Sequence, residues 1–298
     1  MSAGENLPGS TEVLLGVVGG TGLYGMDQLT DVEERWVDTP FGRPSDAYVL
    51  GTLEGRRVVF LPRHGREHRL LPSELNYRAN IFGFKKLGVT HLVSVSAVGS
   101  MREPYEPGHV VVVDQFYDRT RHRPDTFFGN GLVAHVSLAH PICPALSQVA
   151  LGALQKIGAP CHAGGMYICI EGPQFSTRAE SLIYRSWGAD VIGMTNLQEA
   201  KLAREAEMCF TCLALVTDWD CWKEDVEAVT VEGVMAVLGR NTVTAQSAVR
   251  EIARVGPVSG GAHCGCRDAL RNALVTDFKL VPLDTLEALD PLIGRYRS

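Results

Sequence analysis

Met208-Cys209-Phe210-Thr211-Cys212-Leu213-Ala214-Leu215-Val216 runs without a break into Thr217-Asp218-Trp219-Asp220. An apolar stretch with no polar alternation reads as a strand covered on both faces, the kind found inside an α/β sheet. Similar strands are read at residues 12–18, 47–53, 57–61, 91–98, 110–114, 166–170 and 191–194. Helical signals separate them. Residues 73–87 follow Pro72 and stop at Gly88, and 145–157 stop at Gly158. Thr177 with Glu180 gives a capping-box pattern for a helix ending at Gly188, and 230–254 read as a longer helix. Alternating elements predict a single α/β domain over 12–298. Its central sheet is mixed but largely parallel and flanked by helices. Residues 1–11 are expected to be a flexible N-terminus.

Composition narrows the function. The 298 residues carry a net charge of −6, with 45% hydrophobic and 21% charged residues. Nothing in that balance suggests a nucleic-acid partner. The longest apolar runs, such as Val110-Val111-Val112-Val113, fall far short of the ~20 residues a membrane span requires. The N-terminal stretch is polar and reads as no signal peptide, so a cytoplasmic location is expected.

Six of the strands read this way end in polar or glycine-rich sequence: Gly19-Gly20-Thr21-Gly22, Arg63-His64-Gly65, Ser96-Ala97-Val98-Gly99, Glu171-Gly172-Pro173, Met194-Thr195-Asn196 and Thr217-Asp218-Trp219-Asp220. Ligands in open α/β sheets gather at such carboxyl ends. Gly20-Thr21-Gly22-Leu23-Tyr24-Gly25 matches the dinucleotide fingerprint, which keeps an NAD-dependent oxidoreductase in view. The stretch after it, however, is short, broken and acidic where a long helix is required. An anion-binding loop suits the glycines and Thr21 better. Arg63 can pair with a nearby carboxylate or grip an anion. Ser96, Thr195 and Thr21 add hydroxyl donors. His64, Glu67 and His68 imitate a metal helix, but Gly65 and Pro72 argue against a continuous one. Asp218 and Asp220 fit metal ligation, capping or acid–base work. A carboxylate that accepts from an exocyclic amine, or when protonated donates to a ring nitrogen, suits a 6-aminopurine. Phe175 is placed to stack on a base or to fill the core.

Taken in order, these blocks resemble the 5'-methylthioadenosine phosphorylase branch of the trimeric purine nucleoside phosphorylases. Asp38-Thr39-Pro40-Phe41-Gly42, Asn76-Tyr77-Arg78-Ala79-Asn80 and Phe175-Ser176-Thr177-Arg178-Ala179-Glu180 join them, and the likeness runs from about Leu14 to about Ala236. It implies a pentosyltransferase that cleaves 5'-methylthioadenosine with inorganic phosphate as co-substrate, giving adenine and 5-methylthioribose 1-phosphate. A 6-oxopurine nucleoside or methylthioinosine phosphorylase is the alternative. The implied phosphate site is Thr21, Arg63, His64, Ser96, the Ala97 backbone and Thr195. Met194 is implied against the ribose and Phe175 against the purine. Asp218 and Asp220 would hold the adenine edge, Asp218 at N7. Ser176, Val231 and Val234 match positions near the base or methylthio group, while His68 and Pro72 match residues contributed across a subunit interface. Neither metal nor organic cofactor is implied, and the assembly would be a homotrimer or a dimer of trimers.

The eight cysteines mostly sit in apolar runs and read as buried thiols. His263-Cys264-Gly265-Cys266 stands apart. A metal there would need two more ligands, and no second CxxC exists. The resemblance instead implies a stabilising disulfide, as in heat-stable relatives.

Overall fold

The computed structural model describes residues 14–23, 25–223, 231–256 and 264–297. Its strands, in chain order, are β1 (Leu15–Gly19), β2 (Thr30–Arg35), β3 (Tyr48–Leu53), β4 (Arg56–Pro62), β5 (His91–Ser100), β6 (Val110–Val112), β7 (Gln115–Arg119), β8 (Cys161–Ala163), β9 (Met166–Ile170), β10 (Val191–Gly193) and β11 (Cys209–Asp218). The helices are α1 (Tyr77–Lys86), α2 (Pro144–Lys156), α3 (Arg178–Ser186), α4 (Leu197–Glu205), α5 (Val231–Val255), α6 (Leu283–Ala288) and α7 (Asp290–Ile293).

The apolar strands occupy the middle of one mixed sheet. β1 lies between β4 and β5 and is parallel to both. β11 runs parallel to β5 from Cys209 opposite His91 to Asp218 opposite Gly99. The far end of β5 behaves differently: Gly99 and Ser100 pair antiparallel with β10, which β9 and then β7 extend. β5 therefore changes partner along its length. β1 pairs with it only as far as Ser94, and β10 takes over at Gly99. Neighbouring strands diverge at such a switch point and open a crevice at their carboxyl ends. A register shift between Val216 and Asp218 re-aims the carboxylates there, as bulges do.

Helices cover both faces. Residues of α1, α4, α6 and α7 close one apolar cluster, and those of α2 and α5 close a second. Burial on both faces from Val58 to Pro62 in β4, over all of β5 but Ala97, and along β11 up to Thr217 explains why these runs lack alternation. The capping box is present, with Thr177 accepting from the Glu180 backbone and Glu180 returning the bond. The first helix begins four residues later than its sequence span because Asn76 caps it, accepting from the Ala79 amide at 3.1 Å.

The sequence reading did not anticipate β2, β7, β8, α4, α6 or α7. β2 is exposed along its whole length as an edge strand, so it carries no burial pattern to detect. α4 is short and follows directly on Asn196. The dinucleotide reading fails here as well: Thr21–Leu23 is a single 3-10 turn that leads to β2, not a long helix. The metal-helix reading fails because Glu67 and His68 have left-handed backbones inside a short turn.

The cysteines give a correction. Cys264 and Cys266 do acquire two companions, since the fold brings Cys143 and Cys209 to them. Sequence spacing concealed this because one companion caps α2 and the other opens β11. The expected flexible residues 1–11 lie outside the described residues. Among those described, no helix is long and apolar enough to cross a membrane.

Candidate active site

The crevice at the switch point is a cavity of about 740 Å³, within the range of sites that enclose a small ligand. Arg63, His64, His68, Pro72, Ser96, Ala97, Phe175, Ser176, Met194, Thr195, Asp218 and Asp220 all line it. Residues from six separate strand ends thus meet in one place. Gly20 and Gly22 line it on either side of Thr21. The side chains of Thr21, Val231 and Val234 lie outside the described residues. His68 and Pro72 border the cavity of their own chain.

One end is built from hydroxyls and a neutralised cation. Ser96 Oγ lies 3.2 Å from Tyr167 Oη and 3.3 Å from Thr195 Oγ1. Tyr167 reaches this point because residue 193 is glycine; a Cβ there would stand 1.9 Å from the phenol oxygen. Burial pushes the Tyr167 phenol well up, which keeps it a neutral donor.

Arg63 is 3% exposed and its fork faces Glu199, with Nε donating to Oε1 at 2.5 Å and Nη2 to Oε2 at 3.0 Å. Nη2 also donates to Ser94 Oγ, and Nη1 to the Val95 carbonyl. Of the two readings the sequence left open, the ion pair is realised, though in a buried form. Burial opposes the guanidinium charge, but Glu199 more than offsets this and raises its pKa. Nη1 carries two hydrogens and, among the described hydrogen bonds, spends one on Val95.

His64 sits beside this pair. Its Nδ1 lies 2.8 Å from the Leu70 carbonyl, which can only accept, so Nδ1 carries the hydrogen and Nε2 is an acceptor in the neutral ring. Burial and then the Arg63 charge push its pKa down to about 4. The ring stacks on His68 with centroids 4.3 Å apart.

The other end is acidic. Asp218 accepts from Thr217 Oγ1 at 2.7 Å and from the Asp220 amide at 2.8 Å. Asp220 is buried and accepts from Ser181 Oγ. Burial, reinforced by the neighbouring Asp218, raises its pKa, and the Ser181 bond works in the opposite direction. Gly99 makes room for the pair: a Cβ there would stand 2.9 Å from Asp218 Oδ1. Ser176 Oγ is buried with no hydrogen-bond partner among the described residues, a free polar group at the same end. Phe175, 48% exposed, presents its ring to the cavity and not to the core.

Sequence reading missed several supporting groups. Arg123 is buried, with Nε on Glu171 Oε1 at 2.8 Å, Nη1 on the Met194 carbonyl at 2.7 Å and Nη2 on the Glu171 carbonyl at 2.6 Å. It ties two of the six strand ends together. Glu199, Tyr167 and Ser181 were likewise not singled out; each lies inside a strand or helix, and Ser181 directly follows the capping box. Apart from the four cysteines, no described group of three or more histidine, cysteine or carboxylate side chains is clustered as metal ligands would be.

Comparison with known proteins agrees with this architecture. A family model described as the phosphorylase superfamily matches residues 14–254. An S-methyl-5'-thioadenosine phosphorylase of Geobacter sulfurreducens is 56% identical over 286 residues, 96% of this chain and 99% of the relative. Another, from Koribacter versatilis, is 56% identical over 282 residues, 95% of this chain and 96% of the relative. A crystal structure of a methylthioadenosine phosphorylase from an antarctic soil metagenomic library superposes with TM-score 0.90 at 46% identity, covering 95% of this chain and 99% of that one. A Schistosoma mansoni methylthioadenosine phosphorylase in complex with adenine gives TM-score 0.81 at 35% identity, over 87% of this chain and 96% of that one. The chain belongs to the phosphorylase superfamily and, within it, to the family of the S-methyl-5'-thioadenosine phosphorylases.

Proposed function

We propose that the protein cleaves 5'-methylthioadenosine with inorganic phosphate. The observation that carries this reading is the presence of a hydroxyl-lined anion site and a paired carboxylate in one cavity. They stand on adjoining parallel strands. Ser96 and Gly99 are three positions apart on β5, about 10 Å by strand rise, and Gly99 adjoins Asp218. That leaves room for a ribose between a phosphate and a purine.

Phosphate binds to the Gly20–Gly22 turn with Thr21, to Ser96, Thr195 and the Ala97 backbone, and to the second Nη1 hydrogen of Arg63. Neutral His64 accepts through Nε2 from the hydroxyl of hydrogenphosphate. Phe175 covers the base, Met194 the ribose, and Val231 and Val234 the methylthio group. Asp218 meets N7, Asp220 the exocyclic amine, and Ser176 a further ring nitrogen.

The C1'–N9 bond breaks as a phosphate oxygen bonds to C1'. Negative charge builds on the purine, and a proton donated towards N7 stabilises it where it develops. The proton that hydrogenphosphate gives up matches the one adenine gains. This step draws on no cofactor. A mutant adenosine/methylthioadenosine phosphorylase of Schistosoma mansoni, whose crystal structure is in complex with methylthioadenosine, supports the nucleoside assignment. We further propose a cytoplasmic location and an assembly of trimers, single or paired, and light scattering on the purified protein tests the assembly.

The test of function is adenine release from 5'-methylthioadenosine with and without phosphate, with adenosine and inosine as comparison substrates. Phosphate-dependent release with inosine unreactive is the expected result. Release without phosphate would make the protein a hydrolase, and a preference for inosine would assign it to 6-oxopurines.

A further inference from the structure

At the amino end of β11, opposite the cavity, the sulfurs of Cys143, Cys209, Cys264 and Cys266 all lie within 4.8 Å of one another. Three of these residues are buried and Cys264 is half-buried. We propose that these four cysteines form a structural tetrathiolate zinc site.

The geometry matches the ion. Zinc bound to thiolates at about 2.3 Å in a tetrahedron places the sulfurs about 3.8 Å apart. Cys209 and Cys264 stand 3.5 Å apart, close to that edge and far from the ~2.05 Å of a disulfide. The remaining separations, up to 4.8 Å, close on a central ion by small side-chain movements. Two disulfides would have to draw the four sulfurs into separate pairs.

The backbone holds the ligands from three directions. Cys143 caps α2, and its amide donates to the Phe210 carbonyl at 2.8 Å, which ties it to the start of β11. Gly265 has φ +65°, a left-handed conformation that glycine adopts readily. This turn allows both cysteines of the C-x-C to face the same point. Four protein sulfurs leave no open position for a substrate or water, as in structural zinc sites. Cys209 and Asp218 are at opposite ends of a ten-residue strand, about 30 Å apart by strand rise. The ion therefore takes no part in the chemistry. It fastens the start of β11 and α2 to the segment that leads into α6 and α7.

The test begins with protein expressed in zinc-supplemented medium and purified anaerobically with a thiol reductant. Elemental analysis should find about one zinc per chain, and a Cys264→Ser/Cys266→Ser double variant should hold none. Removing the zinc with a chelator should lower Tm while leaving phosphorolysis of 5'-methylthioadenosine at moderate temperature unchanged. Should the double variant fail to fold, cobalt exchange into the unmodified protein decides: a tetrahedral S4 site gives intense visible absorption and thiolate-to-cobalt charge transfer. Substoichiometric metal, or intact-mass evidence that the four sulfurs pair as disulfides under the same purification, would overturn the proposal. So would a cobalt spectrum without sulfur charge transfer.

Discussion

The two ends of the cavity solve the problem of charge in opposite ways. At the anion end the buried cation of Arg63 is already matched, since it lies on Glu199. What faces a ligand there is mostly hydroxyl and backbone, with His64 held neutral. At the base end Asp218 and Asp220 stand together with no cation paired to either among the described ion pairs, supported by Thr217, Ser181 and a backbone amide. An uncompensated cation at the anion end would attract the neighbouring carboxylates as readily as phosphate. Locking Arg63 to Glu199 fixes the guanidinium in place, so it is not a mobile charge. The site therefore separates a dipole-lined pocket from an acidic one by distance, within one cavity.

The largest effect expected from disturbing this contrast is at the ion pair. Glu199→Leu leaves Arg63 charged and unpaired in the interior and should cost about 3–5 kcal/mol of folding stability, read from denaturant melts. A loss under 1 kcal/mol would mean that Arg63 finds another partner and that the pairing is incidental. At the opposite end, Asp218→Asn should lower kcat on 5'-methylthioadenosine by ~10²–10³ with little change in Tm. A loss below tenfold would transfer the proton-donating role to Asp220.

Ser181→Ala is the subtler probe of the same end. It removes a hydrogen bond to a charged group, of the kind worth about 1.5–3 kcal/mol. Because that bond holds the Asp220 pKa down, its loss should move the acid limb of the pH–rate profile upward along with reducing kcat/KM. An unshifted profile would exclude Asp220 from the titration.

The last probe, read as a pH dependence, concerns His64. Its folded pKa of about 4 lies below the ordinary value of about 6.5, so between those values the unfolded chain binds the extra proton. Its contribution to stability is therefore complete above about pH 6.5 and is lost as pH falls towards 4, with a slope approaching ~1.4 kcal/mol per pH unit. Glu205 works the other way, since burial raises its pKa to about 7. His64→Gln should accordingly flatten the fall in Tm between pH 6.5 and 4 relative to the parent chain. Parallel curves would mean that His64 is already protonated in the fold.

Reading the sequence locates most of the groups that face the cavity, because each ends an apolar strand and strand ends stand out in sequence. Arg63, Ser96, Thr195, Asp218 and Asp220 are found this way, and all line one space. It does not find what holds them. Glu199 lies inside α4, Ser181 inside α3, Tyr167 inside β9, and Arg123 in a stretch outside any strand or helix, and nothing local distinguishes their side chains from those of their neighbours.

By itself, then, the sequence determined the alternation of buried strands and capped helices, the carboxyl-end motifs and the family they identify. These depend on local spacing, apolar continuity and turn chemistry, which short stretches of chain carry. Only the tertiary structure decided that Arg63 is matched to Glu199, that burial raises the Asp220 carboxyl, and that Cys143 and Cys209 meet the C-x-C. Those outcomes depend on pairings between residues far apart in the chain, set by sheet order and helix packing. No local pattern can encode which distant partner burial will bring into contact.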